Sequence, residues 1–145
     1  MYGLVVIINL KSKIDIELVF HMERMVIIME NKLRVWWIPQ VGIEETFYVP
    51  VSTVEEGKKT LDLLAAYDAF QLQNRVKPDY TNVGGLQMLD EEEGEWNDWY
   101  LETDDDYFDD VDDYCEQCER AEELTEFNQT LFEQIDWDKI ERMTR

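Results

Sequence analysis

Basic residues, histidine, cysteine and long apolar runs are all scarce in this chain of 145 residues. Thirteen Lys and Arg stand against 34 Asp and Glu, a formal net charge of −21. A chain so charged repels phosphates, so direct nucleic-acid binding is not expected. With His21 as the single histidine, no Gly-rich phosphate cradle and no Gly-x-Ser-x-Gly turn, hydrolytic triads, P-loops and dinucleotide folds are unsupported. No catalytic residue and no cofactor is expected, and the chain reads as a non-enzyme.

Two cysteines, Cys115 and Cys118, do not make a secreted disulfide scaffold. As a Cys-x-x-Cys pair they would need two more soft or imidazole ligands for zinc, which only a second copy could bring, so no metal site is expected. The surrounding acids should push the thiol pKa up, and two small residues on a helix seam is the favoured reading. The Asp-rich run lacks the loop spacing of an EF-hand. Apolar runs such as Leu4–Ile8 and Met25–Met29 fall far short of the ~18 residues of a membrane span, and no signal-peptide pattern opens the chain. The expectation is a cytoplasmic protein away from membranes.

Acid is what the chain has in excess, and it is unevenly placed. Residues 86–145 hold 23 acidic and 4 basic residues, against 11 and 9 in the first 85. With 45% hydrophobic and 12% aromatic residues it can still bury a core. At roughly 100–200 residues per domain there is room for one domain and an appendage. The division read here is an uncertain extension over 1–30, an α+β domain over 31–100 and an acidic helical appendage over 101–145. Residues 1–28 carry short β-like runs at 4–8, 14–20 and 25–28. They also read as translated upstream sequence, because Met29-Glu30-Asn31-Lys32 resembles an ordinary bacterial start.

From Leu33 the pattern is cleaner. Leu33–Ile38 and Thr46–Val51 are rich in β-branched and aromatic residues and are joined by a segment able to turn. Ser52 or Thr53 offers an N-cap to a helix over 53–72, with Glu55 and Glu56 in its first turn and Val54, Leu61, Leu64, Ala65 and Leu72 on a buried stripe. Gly57 costs that helix up to ~1 kcal/mol and suits close packing on a sheet. After a loop over 74–82, Gly84-Gly85 opens a strand over 86–89, and a fourth strand follows over 95–100. Strand, strand, helix, strand, strand describes a small antiparallel sheet with one packed helix.

Beyond Leu101, Tyr107, Val111, Tyr114, Cys118, Ala121, Leu124, Leu131 and Ile135 recur at spacings of three, four and seven, which predicts an amphipathic helix broken near Asn128 or Asp136. On such a helix Asp105, Asp109, Asp112, Glu116, Glu119 and Glu123 line one face as a rail of carboxylates. Such a rail can imitate nucleic-acid phosphates, which DNA presents at one charge per about 1.7 Å, and so engage a basic host or phage protein surface. The plainer reading is a solvated face. Trp37, Trp96, Trp99 and Tyr107 are candidate aromatic anchors. Neighbours on a strand point to opposite faces, so Trp36 and Trp37 cannot share one core, nor can Trp96 and Trp99. Arg75, Lys77, Tyr80 and Asn82 offer an alternative, a site for a small anionic ligand such as a nucleotide signal. A homo-oligomer paired through the seam helix is a third reading.

Leu33-Arg34-Val35-Trp36-Trp37-Ile38-Pro39-Gln40-Val41, Phe47-Tyr48-Val49, Ala66-Tyr67-Asp68-Ala69-Phe70-Gln71, the stretch Lys77–Leu86 and Glu95-Trp96-Asn97-Asp98-Trp99 together resemble small proteins of tailed bacteriophages and prophages, some labelled superinfection immunity proteins. The resemblance covers about residues 31–100 and implies a phage or prophage accessory role. It carries no catalytic residue across.

Overall fold

A computed structural model describes residues 32–145 together with Leu18, Val19 and His21. The runs expected within the first 30 residues lie outside the described residues, save that Leu18 and Val19 are helical where a strand was expected. Four strands and a long helix appear in the expected order: β1 (Leu33–Ile38), β2 (Phe47–Val51), α1 (Val54–Gln73), β3 (Val83–Asp90) and β4 (Glu95–Asp98). They form one antiparallel sheet ordered β2-β1-β3-β4.

Alternation decides which side chains enter the core. Val35 and Trp37 of β1 point to one face with Val51 and Leu86 across the ladders, while Arg34 and Trp36 point to the other. Trp37 lies opposite Gly84, and Trp36 opposite Gly85. A Cβ on Gly84 would overlap the Trp37 ring and stand 2.6 Å from the Trp36 carbonyl oxygen; one on Gly85 would stand 2.9 Å from the Trp36 indole nitrogen. Each glycine therefore seats one indole, on opposite faces of the sheet.

Helix α1 opens on Thr53, whose hydroxyl accepts from the Glu56 N–H at 3.1 Å, while the Glu56 carboxylate accepts from the Ser52 N–H at 2.6 Å. Such a cap contributes about 1 kcal/mol. Gly57 is buried, and a Cβ there would meet Leu86 at 2.8 Å, so the helix approaches the sheet at this point. The helix ends at Asn74, and Arg75 takes a left-handed φ of 59° that a glycine usually supplies.

The C-terminal third departs from expectation. It is a hairpin, β5 (Leu101–Glu102) with β6 (Tyr107–Phe108), followed by α2 (Val111–Gln117), α3 (Ala121–Phe132) and α4 (Trp137–Thr144). Thr103 closes the hairpin turn against Asp106, and the Asp110 side chain accepts from the N–H groups of Asp112 and Asp113, so the first helix cannot begin before Val111. The breaks fall at Cys118, whose backbone is extended, and at Glu133–Asp136; Asn128 lies inside α3.

Nor is this third an appendage. Residues Asn31–Arg145 form one compact unit. Trp99 and Phe108 pack edge-on against Tyr114 of α2, each at 5.6 Å between ring centres. On the far side of α1, Ala69 and Leu72 meet Ile135 and Ile140, and the Gln73 side chain accepts from the Asp136 N–H at 2.8 Å. Helix α1 thus lies between the sheet and the last two helices, while α2 packs on the sheet-side cluster itself.

Candidate functional site

Ten acidic residues lie between Glu102 and Glu119, all exposed and with no basic residue among them until Arg120. They are spread over several elements. Asp105 sits in the β5–β6 turn, Asp109 at the joint before α2, Asp112 and Glu116 one helical turn apart on α2, Glu119 in the break after it and Glu123 on α3. The single helical rail expected from periodicity is thus corrected to a hairpin tip followed by two short helices, because Asp110 caps where a continuous helix would have to pass.

Two members of the set are paired to bases. Asp112 lies 3.1 Å from Lys58, and Glu123 meets both Arg120, at 2.7 Å, and Lys59. Hydrogen bonds from Arg120 and Lys59 pull the Glu123 carboxyl down to about 2. Lys58 also bonds Asp62; burial alone would lower the lysine, but its two carboxylate partners outweigh burial and leave it above its ordinary 10.5. Asp105, Asp109, Glu116 and Glu119 have no ion pair among the described residues.

Beside the acidic segment the sheet opens into a cleft of about 340 Å³. The β3–β4 ladder ends where the Trp99 N–H donates to the Leu86 carbonyl at 3.0 Å, and the chain then leaves the sheet for β5. Alternation along β3, fixed by the Leu89 N–H bonding Lys32 on the β1 side, turns the Gly84 backbone groups to the open side. Trp36, Gly84, Gly85, Asp98, Asp109 and Asp110 are among the residues that line the cleft.

The aromatic candidates divide. Trp37 and Trp99 are each 6% exposed and belong to the core, so they offer no surface to a partner. Trp96 stacks on Arg34 of the outer sheet face, whose guanidinium lies 4.2 Å from its ring and 3.9 Å from that of Tyr48. Tyr107 is exposed and stacks on Tyr100.

The loop residues are mostly spent inside the fold. The half-buried Lys77 lies 3.3 Å from Asp68 and donates to the Pro39 carbonyl. The same Asp68 oxygen accepts from the Trp37 indole and from Asn82, both at 3.1 Å. The Tyr80 hydroxyl donates to the Ala65 carbonyl at 2.9 Å. Arg75 alone of the four makes no side-chain hydrogen bond or ion pair among the described residues, and it lies beside a shallow cavity it shares with Lys77, Met143 and Thr144. Asp68 and Asp98 went unseen in the sequence: acids are so common that none stands out, and Asp68 finds Lys77 only through the fold. A carboxylate on the helix stripe that should be apolar was the available signal.

Burial first, then Cys118 and Glu55, push the Cys115 thiol up to about 12. Among the described residues no group of three His, Cys, Asp or Glu side chains is placed to hold a metal ion, and no helix is long and apolar enough to cross a membrane.

Comparison with known proteins matches this chain to a family model described as superinfection exclusion gene product 17, over residues 32–120. The match takes in the whole sheet, α1, the hairpin and α2. A superinfection exclusion protein of Salmonella phage P22 is 50% identical over 82 residues, covering 49% of this chain and 79% of that protein. No solved structure matches. On sequence and on extent, the chain belongs to the superinfection exclusion gene product 17 family.

Proposed function

We propose that the protein acts in superinfection exclusion as a non-enzymatic binding protein, whose acidic surface occupies a basic groove on a host or competing-phage protein. The observation that carries this reading is the run of ten exposed acids over 102–119, of which, among the described residues, only Asp112 is paired to a base. Unpaired carboxylates attract basic surfaces across about 8 Å at physiological salt and raise the rate of encounter. Where the target groove normally holds nucleic acid, the carboxylates stand in for phosphates. The complex weakens as salt rises.

Cutting the chain after Tyr100 is the wrong test, because Leu101, Phe108, Val111 and Tyr114 pack on the sheet core and Ile135 and Ile140 cover α1. Neutralisation in place avoids this. Asp104, Asp105, Asp113, Glu116 and Glu119 are exposed and make no side-chain hydrogen bond or ion pair among the described residues. The variant with Asp→Asn and Glu→Gln at these five should keep its thermal midpoint and lose exclusion, read as restored plating of a superinfecting phage on cells making the protein. Full exclusion by the folded variant would sink the acidic-surface mechanism.

A further inference from the structure

We infer that the cleft between the open edge of β3 and the acidic joint is a binding site for an extended, arginine- or lysine-bearing segment of the partner, added to the sheet as a strand. This rests on the acidic-surface reading above and names where on that surface recognition occurs.

Two features meet there. The first is backbone. Beyond the Trp99–Leu86 bond nothing from β4 covers β3, and no backbone bond from the described loops reaches Gly84. Its N–H and C=O face the cleft, as does the N–H of Leu86. An edge of this kind accepts an added strand through main-chain hydrogen bonds. The opposite edge of the sheet is β2, where Pro50 removes a donor, so the two edges are not equivalent.

Charge and shape supply the second feature. An added strand lies about 4.8 Å from β3 and sends alternate side chains to either face. On the outer face it meets Trp36, whose indole is packed on Gly85, and the carboxylate of Asp98. Asp109 and Asp110 line the same cleft. An aromatic ring beside carboxylates receives a guanidinium or ammonium group by stacking and ion pairing together. An acidic or purely apolar strand would leave these carboxylates desolvated and unpaired. Gly84 and Gly85 contribute no side chains to obstruct the approach.

The test uses the full chain and a capped peptide of alternating valine and arginine, followed by amide NMR and titration. The expected result is a set of shifts concentrated at the Gly84, Gly85 and Leu86 amides and the Trp36 indole N–H. Asp98→Asn with Asp109→Asn should weaken binding about tenfold, and so should N-methylation of alternate peptide amides, which leaves charge intact. Glu92→Gln with Glu93→Gln removes the same charge from the β3–β4 turn and should change affinity by less than about twofold. Equal weakening by both pairs of substitutions, or an N-methylated peptide that binds as well as the parent, overturns the cleft and leaves the acidic surface standing. If the parent peptide and its N-methylated form both fail to bind at low salt, both readings are overturned.

Discussion

On its sheet side, helix α1 sets Val54, Leu61 and Leu64 against Val35, Val51 and Leu86, whereas its opposite side meets Ile135 and Ile140 of the C-terminal segment through Ala69 and Leu72. Each side also carries an ion pair. Asp68–Lys77, beside the sheet, is almost fully enclosed, with side chains 5% and 9% exposed, and its carboxylate has two further donors. Lys58 links Asp62 to an exposed Asp112, and Lys59 reaches an exposed Glu123. The sheet side is therefore held by bulk and by charges shielded from solvent, the other by small contacts and by charges that salt can screen. Ionic conditions should act on one interface of α1 and spare the other.

Removing the enclosed cation should have the largest effect. Lys77→Met leaves Asp68 buried without its counter-charge, a loss of about 3–5 kcal/mol by urea denaturation that added salt does not recover. A loss below about 1 kcal/mol would mean that solvent reaches the pair. Next comes Leu124→Ala, in the acidic layer, where Leu124 is 3% exposed; the expected cost is about 2–5 kcal/mol. Because Val111 and Tyr114 pack on the sheet-side cluster, helical circular dichroism and tryptophan emission should shift together. Loss of helix before the tryptophan change would show the layers melting separately.

Lys58→Met repeats the cation deletion on the exposed side. Both carboxylate oxygens of Asp62 then lack partners, at a cost of about 1–3 kcal/mol, smaller than at Lys77. Equal costs at the two lysines would erase the difference between the faces. The smallest effect is that of pH at Glu123. Its pKa falls from the ordinary 4.5 to about 2 on folding, so its stabilising contribution is complete above 4.5 and is lost as pH falls toward 2. A carboxyl-carbon NMR titration reads this directly, and a midpoint near 4.5 would detach Glu123 from Arg120 and Lys59.

Those parts of the fold whose signal is local were legible in the sequence. β1 and β2 announce themselves through β-branched and aromatic runs, and α1 through Thr53 and its first-turn acids. The opposed faces of Trp36 and Trp37 follow from strand geometry alone. What the helical period misread was 101–110: strands of two residues are too short to show alternation, and Tyr107 keeps a helical spacing to Val111 by coincidence across the joint between β6 and α2. Asp110 before Val111-Asp112-Asp113 was the cap that marked the true start. The six rail residues are exposed, but the shared face expected of them depended on a helix that does not run through them. Asp68–Lys77 and the β3 edge depend on residues brought together only by tertiary structure.

The middle position of α1 also orders events during synthesis. A chain emerging from the ribosome completes the sheet and α1 while Ala69 and Leu72 still lack their cover, which comes with the last 45 residues. At ordinary elongation rates that interval lasts about 2–9 s. The segment that closes it is also the most negatively charged part of the protein, so nascent chains acquire their mutual repulsion at the moment their last apolar surface disappears.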